Sequence, residues 1–216
     1  MQLIQLIIDG VASGCIYGLV ALGFVLIYKA TETINFAQGD ILMLGAFVAF
    51  SLIGVLGMNY IVGFVLTVMI IAVFGFFLDA VVVRQIIGQP AFATVMLTIG
   101  LGFIFRGFAS IYWGTDIFSF STPFSGKITE VGGLIISYVN ISIIVGTTLL
   151  MGILFAFFSF TKIGVAMRAS SENQLAAYYM GIPVKFIFSL IWSISAGVAA
   201  IAGVLLAPIT LVDTSI

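Results

Sequence analysis

The chain has 216 residues, 62% of them hydrophobic and 7% charged, with a formal net charge of −1. A soluble domain usually carries about 25% charged residues, so this composition excludes an ordinary soluble fold and gives no basic surface for nucleic acid. With no histidine and one cysteine, Cys15, an internal disulfide and a His/Cys metal site are excluded too, and no cofactor is implied.

The N-terminus, Met1-Gln2-Leu3-Ile4-Gln5, has no Lys or Arg before its first apolar stretch, unlike a cleavable signal peptide. Ala12-Ser13-Gly14-Cys15 resembles a lipoprotein cleavage box only faintly, because the apolar run continues to Tyr28, and Cys15 reads as a buried small thiol. Uncharged stretches long enough to cross a bilayer predict six transmembrane helices, at about 6–28, 40–56, 60–83, 91–113, 141–160 and 186–207. Gly54, Gly57, Met58 and Asn59 supply a tight turn between the second and third. The fold class is therefore all-α: a polytopic transmembrane helical bundle, one domain over 1–216. In the first span, Gly10, Gly14 and Gly18 fall on one face and predict close helix packing. Ala196, Ala200, Gly203 and Ala207 form a similar ridge in the sixth.

The basic residues set the orientation. Lys29, Arg84, Lys162, Arg168 and Lys185 fall on one side and Lys127 on the other, which places the N-terminus and residue 216 outside and 161–185 in the cytoplasm. The outer connection 114–140, with Trp113, Asp116, Pro123 and Tyr138 in or beside it, reads as a loop, with a short docking element as the alternative.

Ionisable residues near the bilayer centre would mark function. Asp9 and Asp40 are read at span ends, Asp79 about 6 Å from an inner end, and Arg106 about 10 Å from an outer end, within reach of the interface by snorkelling. An Asp79–Arg106 pair is not expected, since the two approach opposite faces. The sequence lacks a nucleotide-binding Gly-x-x-x-x-Gly-Lys-Ser/Thr loop and any Ser/His/Asp set, so it is read as no enzyme.

Two stretches carry functional information. In Ile34-Asn35-Phe36-Ala37-Gln38-Gly39-Asp40, polar side chains next to hydrocarbon require partners or water, and Gly39 permits a break in the helix. The segment is either an interfacial loop capped by Asp40 or a broken element lining a path through the membrane. Asn35, Gln38, Gly39, Thr94 and Thr98 are the candidate path residues; Thr94 and Thr98 share a helix face, where their hydroxyls can also bond back to their own helix. The second stretch, Thr161–Pro183, predicts a short helix over 172–180, with Ser171 as N-cap, Gln174 closing a capping box, Glu172 at the positive end, Gly181 at C′ and Pro183 beyond. Leu175, Tyr178 and Tyr179 give it an apolar surface suited to a membrane or a partner groove.

These motifs together resemble the permease subunits of ABC importers for branched-chain amino acids, the shorter LivH type of the two paired permeases. The resemblance rests on Gly18-Leu19-Val20-Ala21-Leu22-Gly23 with Tyr28, on Asn35-Phe36-Ala37-Gln38-Gly39-Asp40, on Thr161–Ile182, and on Ala202-Gly203-Val204-Leu205-Leu206 with Pro208. The longer permease type carries a Gly-His pattern in the second of these. Val165 departs from a basic residue common in the family, and Asn173-Gln174 from an acidic/proline pair. The resemblance implies further membrane helices beyond Ile216. It also implies a multi-pass subunit of a prokaryotic plasma (inner) membrane that works with a second permease, cytosolic ABC ATPases and a periplasmic or surface substrate-binding protein. The 161–185 loop would then couple to the ATPase through Gly164, Arg168, Ala169, Glu172, Ala176, Ala177 and Gly181. From the residues alone, an ATP-independent facilitator or channel for small polar solutes is the alternative.

Overall fold

The chain's architecture was taken from a computed structural model, which describes residues 2–32, 34–86, 89–118, 122–131, 134–210 and 212–213. Among these, six helical segments are long and apolar enough to cross a membrane. In chain order the elements are α1 (Gln2–Thr31), α2 (Gln38–Ala49) running into a π-helical turn (Phe50–Val55), α3 (Tyr60–Val81) with a 3₁₀ turn (Val83–Ile86), and α4 (Ala91–Tyr112). A β-hairpin, β1 (Ile128–Val131) and β2 (Leu134–Ser137), leads into α5 (Tyr138–Phe160), α6 (Lys162–Glu172), α7 (Gln174–Tyr179) and α8 (Val184–Leu206).

α8 is the hub. It buries 72% of its most apolar 18 residues, whereas α5 buries 11%. Backbones can meet this closely only where side chains are absent. A Cβ on Gly45 of α2 would lie 2.7 Å from the Ala200 Cα, one on Gly75 of α3 2.5 Å from the Ala196 Cβ, and one on Gly203 2.4 Å from the Leu42 carbonyl oxygen. The Ala196–Ala200–Gly203–Ala207 ridge is thus the surface onto which α2 and α3 close.

The Gly10–Gly14–Gly18 ridge does not do this. No atom lies within 4 Å of a Cβ built on any of the three, and all three are exposed. α1 instead turns Ala12, Ile16, Leu19 and Ile27 inward, because burying these larger apolar side chains removes more surface from solvent than the glycine face can. Cys15 is half-buried against the same core rather than fully enclosed.

The turn after the second span forms as expected: Gly57 takes φ +64°, and Asn59 caps α3, its side chain accepting from the Ile61 N–H at 3.0 Å. The outer connection is more ordered than a plain loop. Antiparallel β1 and β2 pair Ile128 with Ser137 and Val131 with Leu134, Tyr138 already belongs to α5, and Phe118 pairs with Val212. Trp113 donates to the Ser51 hydroxyl at 2.7 Å and stacks on Phe47, closing the outer ends of α2 and α4. At the other end, Arg84 donates to the Lys185 carbonyl at 2.9 Å and Gln174 reaches the Ala30 carbonyl at 3.4 Å. The basic residues assigned to one side by charge are thus gathered at one end of the bundle.

Gly203→Val should destabilise the chain by about 1–3 kcal/mol through overpacking, read as a lowered melting temperature in detergent. Gly14→Ala, which meets nothing in this chain, should leave that temperature unchanged.

Candidate functional site: a buried polar re-entry between α1 and α2

The connection from α1 to α2 does not stay at the inner end of the bundle. Glu32 takes φ +55°, and the chain turns back so that Gln38 reaches the middle of α8. The Gln38 Nε2 donates to the Ser195 carbonyl at 3.4 Å, half-way along that helix, and the Ser195 hydroxyl donates to the Gly23 carbonyl at 2.8 Å. A Cβ on Gly23 would fall 2.1 Å from the Gln38 Nε2, so this glycine makes room for the amide. The side chains of Asn35, Ala37, Gln38 and Asp40 are buried, against α1, α4 and α8, whereas Ile34 and Phe36 remain exposed.

Enclosure requires that every polar group find a partner. Asn35, 1% exposed, accepts from the Ala37 N–H at 3.1 Å and donates to the Gln38 Oε1 at 3.2 Å. The Phe36 N–H donates to the Thr98 hydroxyl at 3.2 Å, and that hydroxyl donates back to the Val95 carbonyl at 3.0 Å. Thr98 bonds both to its own helix and across to the re-entrant segment. Thr94, one turn earlier, is buried. Gly39 lies in the first turn of α2, and the non-helical stretch lies ahead of it, at residues 34–37.

Asp40 is at the start of the second span, as expected, but buried there, and Arg106 does not simply snorkel outward. The Arg106 Nε donates to the Asp40 Oδ1 at 2.5 Å, with the arginine side chain 56% exposed and the aspartate 6%. Gly102 permits this approach: a Cβ there would lie 2.4 Å from the Asp40 Oδ2. Asp40 also sits in the first turn of α2, where the helix N-terminus favours a carboxylate. Together Phe36, Asp40, Ile99, Gly102, Phe103 and Arg106 line a cavity of about 190 Å³. As expected, Asp79 and Arg106 do not pair. Asp79 joins Arg84 at 3.4 Å and accepts from the Ser189 hydroxyl at 2.7 Å, and Arg84 also bonds that hydroxyl, tying α3 to α8 near their inner ends.

The second stretch, at the inner end, differs in its capping from the sequence expectation. Ser171 lies inside α6, its hydroxyl bonding back to the Met167 carbonyl at 2.8 Å, and Glu172 ends that helix rather than starting the next. Asn173, with extended φ/ψ of −154°/102°, caps α7 and accepts from the Ala176 N–H at 2.9 Å. An amide oxygen placed there satisfies an orphan N–H that Ser171, two residues earlier and inside α6, does not reach. Gln174, freed from a capping box, bonds to Ala30. The C-terminus follows expectation: Gly181 takes φ +83°, its N–H bonds to the Tyr178 carbonyl and the Ile182 N–H to the Ala177 carbonyl, both at 3.0 Å. This is a Schellman closure. Gly164 is needed for the α5–α6 corner, since a Cβ would lie 2.4 Å from the Phe157 carbonyl oxygen. Ala177 is buried, Ala169 half-buried, and Arg168, Glu172 and Ala176 are exposed. Leu175, Tyr178 and Tyr179 are 64%, 66% and 77% exposed, so α7 presents an uncovered apolar face.

A bundle of spanning helices that folds a hydrogen-bonded polar segment back to its middle has the architecture of a membrane permease component. The chain belongs to the family described as branched-chain amino acid transport system, permease component, whose model matches residues 6–215. It is 27% identical over 94% of its length to the high-affinity branched-chain amino acid transport system permease protein BraD of Pseudomonas aeruginosa, covering 70% of that protein. It is 28% identical over 95% of its length to LivH of Escherichia coli K12, a permease protein of the same description, covering 71% of it. A probable branched-chain amino acid transport permease protein LivH of Methanocaldococcus jannaschii is 29% identical over 87% of the chain and covered to 61%. No solved structure matches the chain.

Sequence reasoning singled out Asn35, Gln38 and Thr98, which the fold brings together, but missed Gly23, Ser195 and Gly102. A small residue opposite a polar side chain has no signal in one sequence. Replacing Gln38 by Leu should leave Asn35 and Ser195 with lost partners and destabilise the chain by about 1–3 kcal/mol, measured as a lowered melting temperature. Gly23→Leu should destabilise it at least as much by forcing the amide out.

Proposed function

We propose that this chain is one of two permease subunits of an ATP-driven importer for branched-chain amino acids in a prokaryotic plasma membrane. The observation that carries the reading is the half-exposed Arg106 beside Asp40, about 9 Å along α4 from its outer end. A guanidinium at that depth is costly against lipid, so the α2/α4 face that bears it borders water or protein. The path then runs along Phe36, Gly39, Asp40 and Arg106, with Asn35, Gln38, Thr94 and Thr98 holding that surface from beneath.

In this reading a surface binding protein delivers substrate, and cytosolic ATPases drive the conformational change. The 161–185 segment couples to them. α7, fixed by Asn173 at one end and Gly181 at the other, seats its Leu175, Tyr178 and Tyr179 face in an ATPase groove. Gln174 ties α7 to the end of α1, a few residues before the re-entrant segment, so a displacement of α7 is passed toward Asn35 and Asp40 through rigid elements. That the relatives are permease proteins of branched-chain amino acid transport systems supports the substrate class.

Two measurements test this. Proteoliposomes holding the assembly purified from native membranes, with binding protein and ATP, should accumulate labelled leucine, and equilibration without ATP would favour a facilitator instead. Tyr179→Ala should reduce ATPase recovered with the chain about tenfold, the effect of truncating an aromatic anchor, and Arg168→Glu should weaken it as well, both without loss of membrane insertion. Unchanged recovery in both variants would remove the coupling role.

A further inference from the structure

We propose that Asp40 and Arg106, with Phe36 and Gly102, form a recognition site for the paired charges of a zwitterionic amino acid inside the permease. The inference rests on the permease reading and adds to it a point of chemical contact with substrate.

Arg106 engages Asp40 through Nε alone. Its two Nη groups have no hydrogen-bond partner among the described residues, on a side chain more than half exposed. A planar fork of unengaged N–H donors is suited to a carboxylate, which it can hold with two parallel bonds. Asp40 is held in its place independently of any substrate, by the α2 N-terminus and by the Arg106 Nε, so a carboxylate arriving at the Nη groups does not have to compete for the aspartate's own bond. The Asp40 Oδ2 packs against Gly102, in the space a Cβ would otherwise take; Arg106 bonds the other carboxylate oxygen, which leaves Oδ2 to take an ammonium group.

The remaining walls are apolar. Phe36 and Phe103, 50% and 68% exposed, and Ile99 face the same cavity. Its volume of about 190 Å³ corresponds to roughly six waters at their liquid density. A small solute with two opposite charges at one end and a hydrocarbon body at the other matches that distribution. A pair serving only to fasten α2 to α4 would be expected to use the guanidinium fork rather than leave both Nη groups without a bond.

The test uses the purified permease assembly in nanodiscs without binding protein, with tritiated L-leucine as probe. Leucinamide and isocaproate serve as competitors lacking one charge each. The wild-type assembly should bind leucine at millimolar concentration, and neither competitor should displace it at equal concentration. Arg106→Lys keeps a positive charge opposite Asp40 but loses the fork, and should weaken leucine binding at least tenfold. Phe36→Ala, which leaves the ion pair in place, should weaken it several-fold. Absence of leucine binding by the wild type, displacement by either competitor as effective as by leucine, or unchanged binding in both variants would overturn the site and leave the pair a structural fastening. ATP-driven leucine uptake by the wild-type assembly, measured in parallel, separates the two levels. Its absence overturns the permease reading, whereas normal uptake with unchanged binding in both variants overturns the site alone.

Discussion

The structure depends on one constraint: backbone and side-chain polar groups enclosed in a spanning bundle must satisfy one another, since lipid offers no hydrogen bonds. The segment 34–40 returns from the inner end of α1 to the middle of the bundle only because each of its polar groups is received. Asn35 closes its own turn, Gln38 bridges to the Ser195 carbonyl, and Thr98 accepts from Phe36. Removing one partner leaves the others desolvated without compensation, which is why this network acts as a unit.

Small residues make the network possible. α8 carries the ridge that lets α2 and α3 approach its backbone, and Gly23 and Gly102 open space for Gln38 and Asp40. Tight packing and polar satisfaction are therefore the same requirement seen twice: bonds between backbones and short side chains reach only where no Cβ intervenes. The α2 N-terminus is then fixed in depth, and with it Asp40, so that Arg106 meets a carboxylate rather than hydrocarbon.

The inner end is organised around a different element. α7 is short but has both termini closed, by Asn173 and by Gly181, and lies against the end of α1 through Gln174. The same end holds the Asp79–Arg84–Ser189 contacts that tie α3 to α8. The inner ends of α1, α3, α7 and α8 are thus held together by polar contacts.

Sequence alone determined what hydropathy and local capping control. Six spans, their sidedness from Lys and Arg, the turn at Gly57–Asn59 and the Gly181 closure all follow from composition, charge and φ/ψ preference within a few residues. The polar run 34–40 and the 161–185 loop also stood out as the places where chemistry concentrates. Tertiary structure decided the rest. Asp40 reads as standing at the start of the second span and does stand there, but only the packing of α2 against α4 buries it beside Arg106. Two small-residue ridges read alike in sequence, yet only the one at Ala196, Ala200 and Gly203 packs, against Gly45 and Gly75, and Gly10, Gly14 and Gly18 meet nothing, since which face of a helix is covered depends on its neighbours. Asn173 displaced Ser171 as a cap because α6 runs through Ser171 to Glu172, and the Ser171 hydroxyl is taken by the Met167 carbonyl. Depth, facing and partner choice are properties of contacts between elements distant in sequence, and no local pattern encodes them.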